Sequence, residues 1–165
     1  MTGSDRRAMR PRHPRPIAIC VFRDNDRIFV AEGYDSWKKE TFYHPLGGAI
    51  SFGKHSRECI VREIREEIGA EVKDLAYVGT IETIFTCDAG PGHEIVVVYE
   101  GKFIDPSLYG VESLRSREET DDEEFAGEFV AVWKSLDEFR ERKAILYPEG
   151  LLDLLSNTGT HRSVG

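Results

Sequence analysis

The stretch that decides the fold is "PLGGAISFGKHSRECIVREIREEIGA", residues 45–70. A glycine-rich loop leads into residues 56–68, where apolar side chains recur at about 100° per residue. This spacing predicts an amphipathic helix with Ser56 as its N-cap and Gly69 just beyond its C-terminus. The apolar face consists of Ile60, Val61, Ile64 and Ile68.

The same helix carries three closely spaced carboxylates: Glu63, Glu66 and Glu67. Positions i, i+3 and i+4 lie side by side on a helix, and like charges there repel one another. A hard divalent cation would offset this repulsion, because Mg²⁺ and Mn²⁺ prefer carboxylate oxygens. The alternative is the solvated face of an ordinary helix. Glycines just upstream favour a site, because glycine lets the backbone approach a ligand closely.

The flanking segments predict strands and two further helices. Residues 17–22 and 27–31 are β-branched and aromatic, and Asp24–Asn25–Asp26 between them predicts a hairpin turn. Residues 42–54 predict a loop, and residues 105–127 a polar excursion that is functional or mobile. This order of elements indicates α+β or an α/β/α sandwich. Further strands are predicted over 74–87, 93–104 and 127–136, and helices from Ser135 and after Pro148.

Composition limits the classes of function. The 165 residues are 40% apolar, which suits one domain with a sizeable core. A net charge of −8 disfavours non-specific binding to nucleic acids or membrane surfaces. Three scattered cysteines favour neither zinc nor disulfides, so we expect reduced thiols and a cytoplasmic protein. No apolar run approaches the roughly 20 residues of a membrane-spanning helix.

We expect the ends of the chain to lie outside the domain. Residues 1–15 are basic and proline-rich and predict a disordered tail, with a nucleic-acid-binding arm as the alternative. Residues 157–165 lack apolar periodicity and predict a flexible tail.

The opening stretch resembles the Nudix box, the signature of the MutT-like Nudix hydrolases. That pattern is Gly, five residues, Glu, seven residues, Arg-Glu-apolar, one residue, Glu-Glu, one residue, Gly, apolar. Gly48, Arg62-Glu63-Ile64, Glu66-Glu67 and Gly69 all stand at the required spacing. The resemblance extends over residues 16–156 and implies the family's fold, an α/β/α sandwich with a mixed β-sheet.

Three positions depart from the family. Lys54 stands where the first glutamate of the box belongs, and Ala70 replaces a bulkier apolar residue. Ser51 replaces a glutamate that is frequent in that loop but not required by the signature. Lys54 is the departure that bears on activity, because it places a positive charge near the carboxylates.

The resemblance implies hydrolysis of a nucleoside diphosphate linked to another group, with Mg²⁺ or Mn²⁺ as cofactor. It implies that the metal ligands are Glu63, Glu66, Glu67 and the carbonyl of Gly47. Glu63 would serve as a ligand or as the base that activates water, with its carboxylate oriented by Arg62.

Substrate contacts are less sharply defined. Lys54 is a candidate for a substrate phosphate. In the acidic run before the last predicted strand, Glu124 and Glu128 are candidates for a late contribution to the site, with a solvated loop as the alternative. His93 is a candidate for a substrate or dimer contact. Aromatic candidates for stacking on a base are Phe42, Tyr43 and Phe85, whereas Trp133 is expected in the core.

Two functions stay open at this point. The first is a metal-dependent diphosphatase for a small nucleotide or related diphosphate, with a homodimer as a possible assembly. The second is a catalytically weak nucleotide-binding or regulatory module on the same fold, because Lys54 replaces the first glutamate of the box.

Overall fold

The computed structural model of the protein describes residues 13–87, 89–117 and 128–158. These residues form eight strands, three α-helices and one 3₁₀ turn over Pro106–Gly110. The strands are β1 (Arg15–Asp24), β2 (Arg27–Asp35), β3 (Glu40–His44), β4 (Leu46–Ala49), β5 (Val72–Cys87), β6 (Gly90–Phe103), β7 (Ser113–Arg117) and β8 (Glu128–Ser135). The helices are α1 (Ser56–Ile68), α2 (Leu136–Arg140) and α3 (Leu151–Thr158).

The strands form a mixed sheet with two halves. In one half, β1 runs parallel to β6 and antiparallel to β4, and β5 pairs with β6 at the edge. In the other half, β2 lies between β3 and β8, and β7 flanks β8. The halves meet at the hairpin predicted from residues 24–26, where β1 and β2 share only two register pairs. Because the two strands diverge at once, a cleft can open between the halves.

The helices cover both faces of the sheet, which confirms the predicted sandwich. On one side α1 packs against β4 and β1, and Ile60 and Ile64 are fully buried there. On the other side Leu136, Leu151 and Leu155 of α2 and α3 join a second core. Burial of such side chains supplies the main stabilisation of the fold.

Two segments predicted as loops contain strands. Residues 42–54 include the end of β3 and all of β4, and residues 105–127 include β7. Both predictions failed because these strands are short and polar or glycine-rich, so their backbone hydrogen bonds come from distant partners. β1 begins at Arg15 and α3 ends at Thr158, so these elements extend slightly past the predicted domain limits of 16 and 156.

The N-cap of α1 is His55, not Ser56 as predicted. The Glu58 carboxylate accepts a 2.8 Å hydrogen bond from the His55 N–H, which satisfies the backbone at the helix start. The Ser56 hydroxyl lies 2.8 Å from that of Tyr99. At the other end Gly69 adopts φ 67° and its N–H donates to the Arg65 carbonyl, as its predicted role requires.

Trp133 lies where the sequence predicted it, against the core. Trp133 packs against the core on the α1 side of the sheet and donates from Nε1 to the Leu108 carbonyl at 3.1 Å. The three cysteines, Cys20, Cys59 and Cys87, are all free thiols. Among the described residues, no helix has both the length and the apolar character needed to span a bilayer.

Candidate active site

Strand β4 and helix α1 bring the carboxylate of Glu63 directly against the backbone of Gly48. A Cβ atom added at Gly48 would fall 2.5 Å from Cδ of Glu63 and 2.7 and 2.8 Å from its two oxygens. Any side chain at this position would therefore displace the carboxylate. The glycine of the box supplies close approach between strand and helix rather than a special backbone conformation.

Arg62 holds the Glu63 carboxylate from the other side. Its Nη2 donates to Glu63 Oε1 at 2.7 Å and to the Ala49 carbonyl at 3.4 Å, while Nη1 donates to Ser51 Oγ at 2.8 Å. The hydrogen bond to Glu63 is the main reason that the pKa of the Arg62 guanidinium is raised. The arginine thus ties the loop after β4 to the helix and orients one glutamate.

The other two helix carboxylates lie in different environments. Glu67 is 8% exposed, and its Oε2 is buried. Glu66 is about half exposed, with Oε1 3.9 Å from Nε of Arg62. Within residues 13–87, 89–117 and 128–158, no three His, Cys, Asp or Glu side chains stand ready to hold a metal ion.

The donor set fits a hard divalent cation in its chemistry. Carboxylate oxygens, a main-chain carbonyl and water are the ligands that Mg²⁺ and Mn²⁺ take. Glu63, Glu66 and Glu67 project from one helix, and a cation would offset their mutual repulsion. Gly47 precedes Gly48 on β4 and is in register with Ile19 of β1.

The structure does not bring the remaining candidates into one cluster with these residues. Lys54 is exposed in a turn closed by its N–H donating to the Ser51 carbonyl at 3.1 Å. Glu128 opens β8, where its backbone is in register with Arg117 of β7. Glu124 lies outside the described residues.

A cleft of about 330 Å³ lies beside β4, on the side opposite α1. Gly47 lines it, whereas Gly48 faces Glu63, because successive residues of a strand point to opposite faces. The cleft runs between the two halves of the sheet. Its other walls include Ile17, Ile19, Asp35, Lys38, Phe42, His44, Pro45, Thr83, Phe85, Thr86, Cys87, Glu94, Val96, Tyr147 and Pro148.

Two of the three aromatic candidates line this cleft: Phe42 and Phe85. Tyr43, predicted with them, instead packs edge-on against Phe139, with ring centroids 6.1 Å apart. His93 lies outside the cleft lining and forms a 2.8 Å hydrogen bond with Glu82. These assignments follow strand alternation, since Phe42 and Tyr43 are adjacent residues of β3.

Sequence reasoning missed Glu94, His44 and Tyr147 as residues of this cleft. Each is a lone polar residue without a motif, so the sequence offered no periodic or spacing signal for it. Burial raises the pKa of the Glu94 carboxyl, and the charge of Arg15 acts in the opposite direction. Tyr147 donates its hydroxyl to Glu40 at 3.3 Å and accepts from Lys38 at 3.2 Å.

His44 presents a hydrogen-bond acceptor in the cleft wall. Its Nδ1 lies 3.0 Å from the Pro45 carbonyl, which can only accept, so Nδ1 carries the proton. Burial lowers the pKa of the imidazole, which favours its neutral form. Nε2 is then an unprotonated acceptor.

This lowered pKa predicts acid sensitivity of the fold. The unfolded chain binds a proton at His44 near pH 6.5, whereas the folded protein resists protonation there. The free energy of unfolding should therefore fall as the pH drops from 7.5 through about 6.5. Urea unfolding of wild type and His44→Gln at pH 7.5 and 5.5 checks this. The variant should lose less stability between the two pH values, and an equal loss would contradict the prediction.

Comparison with known proteins agrees with this geometry. A family model described as the NUDIX domain matches residues 11–153. Over 65 residues the chain is 35% identical to an NAD-capped RNA hydrolase, NudC, of Mycobacterium tuberculosis. That match covers 39% of this chain and 20% of the relative, so the chain spans about a fifth of the relative's length.

Solved structures share the fold. A NUDIX hydrolase from Nitrosomonas europaea superposes with a TM-score of 0.61 at 17% identity, with 90% of each chain covered. A structure described as an ADP compounds hydrolase gives a TM-score of 0.58 at 15% identity, covering 92% of this chain and 77% of that one. With the box geometry and the match over residues 11–153, these findings show that the chain belongs to the Nudix hydrolase family.

Proposed function

We propose that the protein hydrolyses a diphosphate bond in a nucleoside diphosphate linked to another group, with Mg²⁺ or Mn²⁺ as cofactor. The observation that carries this is the position of the Glu63 carboxylate. It packs against the backbone of Gly48 and accepts a 2.7 Å hydrogen bond from Arg62. Nudix hydrolases generally use divalent metal ions. When bound, such an ion neutralises phosphate oxygens and lowers the pKa of water.

The residues of this chain take distinct parts in the proposal. Glu63, Glu66, Glu67 and the Gly47 carbonyl would hold the metal. Arg62 occupies Oε1 of Glu63 and so orients Oε2 to accept a proton from the attacking water. A group placed in this way reacts faster, because its orientation is fixed before the substrate arrives.

The cleft beside β4 would take the organic part of the substrate. Its apolar and aromatic walls with a few polar groups are typical of small-molecule sites. The names of two similar proteins, an NAD-capped RNA hydrolase and an ADP compounds hydrolase, support a nucleotide-type substrate. Lys54 would contact a substrate phosphate, with Glu124 and Glu128 as further candidate contacts from the segment before and at the start of β8.

The test is a panel of nucleoside diphosphate derivatives, assayed with Mg²⁺, with Mn²⁺ and with EDTA. We expect turnover with either metal and none with EDTA. Mass spectrometry should identify a nucleoside monophosphate, inorganic phosphate or sugar phosphate among the products. Metal-independent turnover, or none by wild type on the whole panel, would contradict the proposal.

A second candidate function, a catalytically weak nucleotide-binding module, is favoured by Lys54. Replacing Lys54 with glutamate restores the family's charge in the 51–54 turn. If wild type is inert on the panel and Lys54→Glu acquires turnover, the weak module is the better account.

If wild type is active, we expect Lys54→Glu to bind Mn²⁺ several-fold more tightly, since a carboxylate replaces an ammonium group near the acidic helix. Isothermal titration with Mn²⁺ measures this.

Ser51 offers a further prediction. Its hydroxyl accepts from Arg62, and bonds to charged groups are worth about 1.5–3 kcal/mol. Ser51→Ala should lower kcat about tenfold because Arg62 loses one of its anchors. The matched control is Ser56→Ala, which removes a hydroxyl bonded to Tyr99 outside the proposed site. Equal kcat for Ser51→Ala and wild type would show that the other anchors suffice.

We also propose a cytoplasmic protein that forms a homodimer, and the domain predicted over residues 16–156 includes Arg15 and extends to Thr158. The free thiols support a reducing compartment. Light scattering at micromolar concentration should show the mass of two chains of 18.7 kDa, and the mass of one chain would contradict the dimer.

A further inference from the structure

Each half of the sheet contributes one phenyl ring to the cleft, and each ring lies over a glycine. Phe42 of β3 is in register with Gly33 of β2, and Phe85 of β5 is in register with Gly92 of β6. A Cβ added at Gly33 would come within 2.7 Å of Phe42 Cε2, and one at Gly92 within 2.5 Å of Phe85 Cε2. The glycines thus let both rings lie against the sheet and leave room between the halves.

Glu94 stands next to one of these rings. It is in register with Thr83, and the next pair on the same face is Gly92 with Phe85, because residues i and i+2 share a face. Thr83 is 8% exposed, and Glu94 is half-buried. Partial burial of a carboxylate costs free energy unless hydrogen-bond donors compensate for the water that it loses. Among the described residues, no hydrogen bond to the Glu94 carboxylate is present, and Arg15 acts on it only by its charge.

The other polar groups around the cleft include acceptors, the hydroxyls of Thr83 and Thr86, and the Lys38 ammonium group, which donates to Tyr147 at 3.2 Å. His44 offers its Nε2 as an acceptor. Asp35 accepts from the N–H groups of Trp37 and Lys38 at 2.9 and 3.0 Å, and Tyr147 is bonded to Lys38 and Glu40. Beside Phe85, the Glu94 carboxylate is thus an acceptor that no hydrogen bond among the described residues satisfies, and a planar ligand group with adjacent N–H donors would complement it.

We propose that this cleft selects a guanine-type base and that Glu94 is the residue that specifies it. Guanine presents N1–H and the N2 amino group side by side, which matches the two oxygens of one carboxylate. Adenine places a ring nitrogen acceptor next to its amino group, so a carboxylate there meets a lone pair. Phe42 and Phe85 contact the base through their rings. The proposal rests on the proposed function for the position of the diphosphate.

The test measures base preference without catalysis. Isothermal titration in EDTA compares guanosine, inosine and adenosine monophosphates; inosine keeps N1–H but lacks the amino group. We expect the guanosine nucleotide to bind at least tenfold more tightly than the adenosine nucleotide, with the inosine nucleotide between them. Glu94→Gln should bring guanosine and adenosine nucleotides within about threefold of each other.

The control is Glu82→Gln, which removes the same charge from an exposed residue of the neighbouring strand outside the cleft. It should keep the wild-type preference, and circular dichroism should show that both variants are folded. Equal binding of the guanosine and adenosine nucleotides by wild type overturns the proposal, as does no detectable binding of either at millimolar concentration. A guanosine preference that survives in Glu94→Gln also overturns it.

Phosphocholine serves as a further probe, because aromatic rings beside a carboxylate can hold a quaternary ammonium group. If phosphocholine binds more tightly than guanosine monophosphate, the cleft prefers a cationic group to a base, and the proposal is overturned. Metal-free binding is independent of hydrolysis. Diphosphate hydrolysis without a base preference would therefore contradict only this inference. A guanosine preference without hydrolysis would contradict only the proposed function.

Discussion

Glu63→Gln should lower kcat by about 10²–10⁴-fold with the best substrate of the panel. In the proposed mechanism this carboxylate accepts the proton of the attacking water, and general base catalysis supplies that range. A neutral amide cannot take the proton, and it is a poorer partner for a cation. The substitution preserves size, so the side chain still fits against Gly48, and Arg62 can still donate to the amide oxygen.

The matched control is Glu71→Gln. Glu71 is exposed and pairs with Arg65 at 2.8 Å beyond the far end of α1, so its loss removes the same charge away from the site. We expect kcat within twofold of wild type for this control. Steady-state kinetics and thermal denaturation of both variants separate chemistry from folding. A Glu63→Gln enzyme that keeps more than a tenth of wild-type kcat would exclude Glu63 as the base.

Gly47→Ala should destabilise the protein by about 3 kcal/mol and lower Tm by roughly 6–12 °C. A Cβ at Gly47 would overlap the Ala18 carbonyl oxygen and come within 2.7 Å of the Ile19 Cα, and these are backbone atoms of the central strand β1. The residue also has φ 155°, which L side chains rarely adopt. Neither strand can yield without breaking register pairs of the sheet.

Gly110→Ala provides the comparison. This glycine ends the 3₁₀ turn, is exposed, and has no heavy atom within 4 Å of an added Cβ. Its variant should change Tm by no more than about 2 °C, since exposed substitutions away from special features usually have small effects. Differential scanning calorimetry of both variants checks the difference. Equal Tm values would show that β1 and β4 can separate at no cost.

Local patterns predicted the box helix well. Ile60 and Ile64 are buried at the spacing that the sequence showed, and Gly69 ends the helix in a left-handed conformation. The predicted N-cap, Ser56, was wrong by one residue. The N-cap is His55, and the Ser56 hydroxyl bonds to Tyr99 instead of to the helix backbone. A contact with a residue 43 positions away, such as Tyr99, cannot be predicted from the local sequence.

The cleft could not be predicted in the same way. Its two phenyl rings come from strands that are distant in the chain and belong to different halves of the sheet. Phe42 and Phe85 were recognised only as aromatic candidates, and Glu94 carried no signal at all. A lone glutamate in a strand is ordinarily a solvated residue, and only its register opposite Thr83 makes it part of a buried wall.

The sequence by itself determined the family's helix, its three glutamates and the sandwich class, because helical periodicity and motif spacing are properties of neighbouring residues. Tertiary structure alone decided that Glu63 rests on Gly48, that Ser51 anchors Arg62, and that an aromatic cleft opens on the other face of β4. These features depend on contacts between segments that are distant in the chain. Long-range register, unlike periodicity, is set by the packing of the whole sheet.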